Sequence, residues 1–214
     1  MADAVTEQLQ ARATDSLPEQ LSHPLAPLAP GEVRVYTLDS GDREIVRQAT
    51  RHVLGAHAGV SAADITLDVG DKGKPYLLND RSLYFSVSHS HDLSMLAVTR
   101  VADTGVDIER QRAVPRAEEI LRRFFSHEEL TSMLSDDNRD LRFVQAWTRG
   151  EATVKVRGAS IWEAATPDPS VTVRALHAPD EFAAAIAVGG GSTGWYVTQV
   201  SLAINDIVPA QPSG

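Results

Sequence analysis

The stretch LYFSVSHSHDLSMLAVT, residues 83 to 99, limits the fold more than any other part of the chain. Leu83, Phe85 and Val87 alternate with Tyr84, Ser86 and Ser88, the two-residue period of a strand with one apolar face. A His-Asp pair then marks a turn, and the run from Leu93 to Val98 is apolar. A strand, a turn and a second strand are expected, which commits this part of the chain to β structure.

The flanking segments supply the other elements. EVRVYTL is expected as a first strand, with Val33, Val35 and Thr37 on one face. SGDREIVRQATRHVLGAHAG has the helical period, with Ile45, Ala49, Val53 and Leu54 as its apolar stripe. Ser40 is expected to cap this helix and Gly55 or Gly59 to stop it. Its arginines, Arg43, Arg47 and Arg51, recur every four residues and share a face. DITLDVG is a short strand and GVDIE the end of another. AVPRAEEILRRFFSHEELTSML reads as one or two helices broken near Ser126. A further helix runs from about Asp140 to Arg157, stopped by Gly158, and VTVRAL, FAAAIAVG and GWYVTQVSLA read as closing strands. The order predicts an α/β (α+β) fold in which a similar unit is used twice. Residues 1–30 are expected as a poorly ordered arm, 31–104 as the first half, 105–206 as the second and 207–214 as a tail.

At 214 residues the chain is long enough for one large domain or two small ones. It has no cysteine, which excludes disulfides, thiolate metal sites and a cysteine nucleophile and suits a reducing cytoplasm. Neither a basic-then-apolar leader nor an apolar run of roughly 18 residues is found, so a soluble cytoplasmic protein with no membrane partner is expected. A net charge of −9 argues against nucleic acid, which is bound mainly through Lys and Arg. One local exception is a basic stripe carrying Arg110, Arg112, Arg116, Arg122 and Arg123. It is either a solvated helix face or a docking place for an acidic partner.

Several residues have the chemistry of a site, each with a plainer alternative. Strand alternation puts Asp107 and Glu109 on one face with Ile108 in the core. Two adjacent carboxylates repel unless a cation neutralises them, and Mg²⁺ takes such oxygen ligands; a local arginine would serve Glu109 equally. Glu151 offers a third carboxylate, with Lys155 one turn on and Trp147 one turn back; alone, it is an ordinary helix-surface ion pair. His89 and His91 lack a third ligand at zinc spacing. Ser88 and His89, at a strand end, are candidates to hydrogen-bond a phosphate. Gly73-Lys74-Pro75 holds a cation on a rigid turn, or is a plain loop.

Taken in order, Gly73-Lys74-Pro75, Ser88-His89-Ser90, Gly105-Val106-Asp107-Ile108-Glu109 and Trp147-Thr148 through Glu151-Ala152 to Lys155 resemble the motifs of the 4′-phosphopantetheinyl transferase superfamily. The resemblance is to its long, surfactin-synthetase-activating type. RRFFSHEEL, Arg122 to Leu130, is similar to the family helix between the last two motifs, and the resemblance runs from residue 33 to residue 205. It implies an enzyme that moves the phosphopantetheine arm of coenzyme A onto a serine of an apo acyl or peptidyl carrier protein, releasing 3′,5′-ADP. It implies Mg²⁺, with Mn²⁺ as a substitute, at Asp107, Glu109 and Glu151. By the same analogy Glu151 is the candidate base, Lys155 neutralises the pyrophosphate and His89 bonds a phosphate, with Ser88 beside it. Lys74 and Pro75, with Arg47 or Arg51, hold the nucleotide end. The family fold is a pseudo-dimer of two halves, each a small antiparallel sheet packed on helices, with the active site in the cleft between them. A monomer is therefore expected. Arg112, Arg116, Arg122 and Arg123 with Phe124 and Phe125 become a carrier-docking surface.

The chain departs from the pattern twice. Gly150 stands where the family has lysine, removing a cation and placing in mid-helix a residue that costs about 1 kcal/mol relative to alanine. The basic segment that many relatives carry ahead of the first helix is not recognisable, which shifts weight onto Arg43, Arg47 and Arg51. A catalytically weak relative that binds coenzyme A or a carrier is the alternative, and Gly150 is its support.

Overall fold

The computed structural model describes residues 25–112, 139–158 and 168–203. In chain order these form β1 (Glu32–Leu38), α1 (Arg43–Ala58), β2 (Leu67–Val69), β3 (Pro75–Leu77), β4 (Tyr84–Ser90) and β5 (Leu93–Thr99). There follow β6 (Thr104–Arg110), α2 (Arg139–Arg157), β7 (Thr172–Leu176), β8 (Phe182–Val188) and β9 (Tyr196–Leu202). The fold is α+β. A four-stranded sheet has the order β4-β5-β1-β9, a three-stranded sheet the order β6-β8-β7, and β2 and β3 form a ribbon. All pairings are antiparallel except β1 with β9.

Strand alternation sorts the apolar residues into layers. One face of the larger sheet, with Tyr36, Leu38, Phe85, Leu96 and Val98, packs on Ala49, Val53 and Leu54 of α1. Its other face, with Val33, Val35, Met95 and Ala97, packs on Val106, Ile108, Ala184, Ile186 and Val188 of the smaller sheet. The far side of that sheet, Ala185 and Ala187, carries Ala152 and Val156 of α2. The order is thus helix, sheet, sheet, helix.

The expected hairpin is β4 and β5, turned at His91, which has a φ of 55°. α1 ends at Gly59, in the left-handed region with φ 73°, as a helix C-terminus favours. Its cap is Asp42 rather than Ser40: Asp42 Oδ1 accepts from the amides of Glu44 at 2.9 Å and Ile45 at 3.0 Å. Ser40 instead supplies its carbonyl to Ser94 Oγ at 2.6 Å, tying the turn to β5. Residues 25–30, grouped with the arm from sequence, lie against the body of the protein. Leu25 and Leu28 pack on the α1 core, and Arg34 Nη2 donates to the Pro27 carbonyl at 3.1 Å. β9 returns from the second half to pair with β1, so the last strand crosses the expected boundary at residue 105. The helix around Ser126 and most of the basic stripe, Arg116, Arg122, Arg123, Phe124 and Phe125, lie outside the described residues.

Candidate active site

β6 lies at the edge of its own sheet, and side chains meet its outer backbone groups. The amides of Val106, Ile108 and Arg110 donate to Oγ of Ser86 at 3.0 Å, Ser88 at 3.4 Å and Ser90 at 3.0 Å. The carbonyl of Thr104 accepts from Lys74 Nζ and that of Val106 from Lys155 Nζ, each at 3.0 Å. Alternation sends Val106 and Ile108 into the core between the sheets and turns Gly105, Asp107 and Glu109 to the opposite face. There α2 crosses so close that a Cβ on Gly105 would lie 2.1 Å from the Ala152 carbonyl oxygen and 2.8 Å from Lys155 Cβ. That approach delivers Lys155 to the carboxylate of Asp107.

Asp107 is 4% exposed. Its Oδ1 accepts from Ser88 Oγ and from Lys155 Nζ, both at 2.8 Å. Its Oδ2 is buried with no hydrogen-bond partner among the described residues. Glu151, one turn before Lys155 on α2, is half-buried; burial and then the Asp107 charge push its carboxyl up. Glu109 is pushed up by the same two causes in the same order. Glu109 and Glu151 thus both feel the charge of Asp107, which makes the three carboxylates electrostatic neighbours. His89 lies on the face of β4 opposite Ser88, and partial desolvation, then Arg43 and Lys155, push its imidazole down. Trp147 lies one turn before Glu151, its ring stacked on Phe143 at a centroid distance of 6.1 Å.

Other residues expected to touch a nucleotide are engaged within the protein. Ser88 lies on the face of β4 opposite His89, and its hydroxyl is directed to Asp107. Lys74 Nζ donates to Asp103 Oδ1 at 2.9 Å, Thr104 O at 3.0 Å and Val156 O at 3.2 Å, which uses all three of its protons. Pro75 opens β3 beside it. Arg51 donates to the carbonyls of Ala62, Ala63 and Ile65 at 2.9, 3.0 and 2.7 Å, pinning the loop after α1. Arg47 is buried and its Nε donates to Glu44 Oε2 at 2.9 Å. Next to the Lys74 turn a hollow of about 430 Å³ is lined by Lys72, Lys74, Pro75, Tyr76, Tyr84 and Arg157. Gly105 escaped sequence reasoning as a positioning element; its signal was a glycine inside a strand, where close backbone approach is a common cause.

Residues 103–192 match the family model of the 4′-phosphopantetheinyl transferase superfamily, a span that includes β6 and α2. The chain is 32% identical over 169 residues to the 4′-phosphopantetheinyl transferase HetI of Nostoc sp., covering 70% of each chain. It belongs to the 4′-phosphopantetheinyl transferase superfamily. Identity to the 4′-phosphopantetheinyl transferase AcpT of Escherichia coli is 33% over 102 residues, 46% of this chain and 52% of that one. For the 4′-phosphopantetheinyl transferase psf-1 of Bacillus pumilus it is 31% over 113 residues, 52% and 47% respectively. Against these two the chain spans about half the relative's length.

As a member of this transferase superfamily the protein is an enzyme, and its acidic group can be tested for a metal. Among the described residues no three His, Asp or Glu side chains are gathered closely enough to hold an ion as they stand. The donor chemistry nevertheless fits a hard divalent cation: every candidate ligand is a carboxylate oxygen, and Asp107 Oδ2 is buried without a donor. No helix among the described residues is long and apolar enough to cross a membrane.

Proposed function

We propose that the protein transfers the 4′-phosphopantetheine arm of coenzyme A to a serine of an apo acyl or peptidyl carrier protein, in a Mg²⁺-dependent reaction. The carrier serine oxygen forms a bond to the pantetheine-side phosphorus, the bond from that phosphorus to the bridging oxygen breaks, and 3′,5′-ADP leaves. The observation that carries this reading is the 2.8 Å contact of Lys155 on α2 with Asp107 on β6, which unites the residues of two family-like motifs, with Glu109 and Glu151 within reach of the Asp107 charge. Asp107, with Glu109 and Glu151, would hold Mg²⁺, or Mn²⁺ in its place. When bound, the ion supplies positive charge to the pyrophosphate as negative charge builds there.

This chain's own residues supply the rest. Glu151, whose carboxyl is pushed up by burial and then by Asp107, suits the task of orienting the serine hydroxyl and accepting its proton. Lys155 sits at the edge of the acidic group as the cation for the departing pyrophosphate. His89 and the exposed Arg43 beside it face solvent and suit a phosphate better than Arg47 or Arg51, whose guanidinium groups bind Glu44 and the loop carbonyls. The hollow beside Lys74 and Pro75 suits the nucleotide end. The pairing of each main sheet with one helix supports a two-halved transferase of the surfactin-synthetase-activating type that works as a monomer. Arg112, exposed just past β6, marks where the carrier would dock, next to the stretch containing Arg116, Arg122, Phe124 and Phe125.

The test is to incubate the protein with coenzyme A, Mg²⁺ and a panel of apo acyl and peptidyl carriers, then weigh the carriers. A phosphopantetheine mass gain that disappears with EDTA and in Glu151→Ala supports the proposal. Coenzyme A binding with no mass gain on any carrier would favour the binding-only relative suggested by Gly150. Neither binding nor transfer sinks both.

A further inference from the structure

The inward face of β4 is polar where its neighbour is apolar. On β5 that face carries Leu93, Met95 and Ala97; directly opposite them β4 carries Ser90, Ser88 and Ser86, all buried. A buried hydroxyl without a partner is costly, so serines in this position need a reason. The reason is β6, whose edge crosses this face of β4 and presents the amides of Val106, Ile108 and Arg110 to them. A hydroxyl can accept from an amide and still donate its one proton. Ser88 spends that proton on Asp107 Oδ1 at 2.8 Å, while Ser90 Oγ lies 3.4 Å from both Glu109 Oε2 and His91 Nδ1. Ser86 accepts from Val106 but is bonded to no carboxylate among the described residues.

We propose that Ser88 is a positioning residue for Asp107. The amide of Ile108 fixes the hydroxyl from one side, so its proton points at Oδ1 alone. With Lys155 on the same oxygen, Oδ1 is saturated, and Oδ2, buried and without a partner among the described residues, is the oxygen left for a cation. Ser88 thus decides which carboxylate oxygen is free. This rests on the divalent-cation reading above and adds a residue that touches neither the ion nor the substrate. Partners that orient a metal-binding side chain typically alter affinity by about 10–100-fold when removed.

The experiment compares Ser88→Ala, Ser88→Thr and Ser86→Ala with the wild type. Mn²⁺ affinity is read from its EPR signal in the presence of coenzyme A, folding from thermal melts, and the edge of β6 from amide exchange. Ser88→Ala is expected to weaken Mn²⁺ binding by about 10-fold or more and to speed exchange at Ile108. Ser86→Ala is expected to speed exchange at Val106 and leave Mn²⁺ affinity within about two-fold, the size of a minor outer perturbation. Ser88→Thr, which keeps the hydroxyl, is expected to bind Mn²⁺ like the wild type. If Ser88→Ala does not fold, Ser88→Cys, of similar volume and with a weak donor, takes its place with the same expectation. Equal Mn²⁺ affinity in folded Ser88→Ala and wild type overturns the positioning role while leaving the cation site standing. A wild type that binds no Mn²⁺ overturns both.

Discussion

Lys155 Nζ and Asp107 Oδ1 lie 2.8 Å apart, joining α2 to β6 through the one Asp107 oxygen that Ser88 also holds. Because Asp107 is buried and Lys155 is 30% exposed, removing the lysine leaves a buried negative charge poorly compensated. Lys155→Met is expected to cost roughly 1–3 kcal/mol in urea unfolding, below the full cost of a buried pair because the ammonium is partly hydrated. It should also abolish detectable carrier modification. Asp107→Asn keeps the shape and removes the charge, so its stability loss should be smaller while Mn²⁺ binding disappears. A Lys155→Met protein as stable as the wild type would show that the pair does not hold α2 on β6.

Gly105 makes a second prediction. A Cβ there would meet the Ala152 carbonyl at 2.1 Å, a backbone atom that cannot rotate away. Gly105→Ala must therefore lift α2 from β6, and a loss of about 1–3 kcal/mol is expected, as for an overpacked core. Glu151 and Lys155 ride on that helix, so the rate of carrier modification should fall further than stability alone explains. Comparing urea curves with single-turnover transfer by the folded variant checks both parts.

The pH dependence of stability should carry a signature of His57. Tyr36 Oη and His57 Nε2 are 2.8 Å apart at the C-terminal end of α1, in a half-buried contact. Burial, then Arg34 and Arg100, outweigh the opposing pull of Glu32 and hold the His57 imidazole down at about 4, from an ordinary 6.5. The folded state therefore resists a proton that the unfolded chain accepts. Stability linked to His57 is fully present above pH 6.5 and is lost as pH falls toward 4. The loss has a ceiling of about 3 kcal/mol. Urea unfolding at pH 7.5 and pH 5 should show the drop in the wild type and a reduced one in His57→Gln. Equal drops would assign the acid sensitivity to other groups.

Much of this fold could be read from residue patterns because alternation and helical period are local properties. β4, β5, α1 and α2 fall where the patterns put them, and Asp107 and Glu109 share a face for the reason a strand requires. What the patterns missed depends on contacts between distant segments. Asp42 caps α1 while Ser40 is drawn into a bond with Ser94. Ser88 has the strand-end position of a phosphate donor, but β6 crosses its face and its proton goes to Asp107. Arg51 shares a helical face with Arg43, yet the loop after α1 folds back to occupy it. The parallel return of β9 to β1 joins residues more than 150 positions apart, for which a single sequence carries no period.

Gly150 stands where the motif resemblance leads one to expect a lysine, and the structure places it half-buried inside α2 with no left-handed backbone. Gly150→Ala should therefore raise stability by about 0.5–1 kcal/mol. Gly150→Lys restores the family cation on a continuous helix and should leave the fold intact without lowering transfer. A drop in carrier modification by a well-folded Gly150→Lys would give the glycine a positive role in substrate access.

Lys74 offers the sharpest separation of a structural from a ligand-binding role. Its ammonium is 18% exposed and joins the turn before β3 to Asp103, to the start of β6 and to the last turn of α2. Burial pushes its pKa down, so the bonds it makes inside the protein must offset lost hydration. A lysine that served only coenzyme A would not matter to the free protein. Lys74→Met keeps the stem and removes the three donors, so about 1–2 kcal/mol should be lost without any ligand present. Coenzyme A should then stabilise the variant less than it stabilises the wild type only if the ammonium also reaches the nucleotide. Thermal melts with and without coenzyme A therefore give both answers, and an unchanged ligand-free melt would return Lys74 to the nucleotide alone.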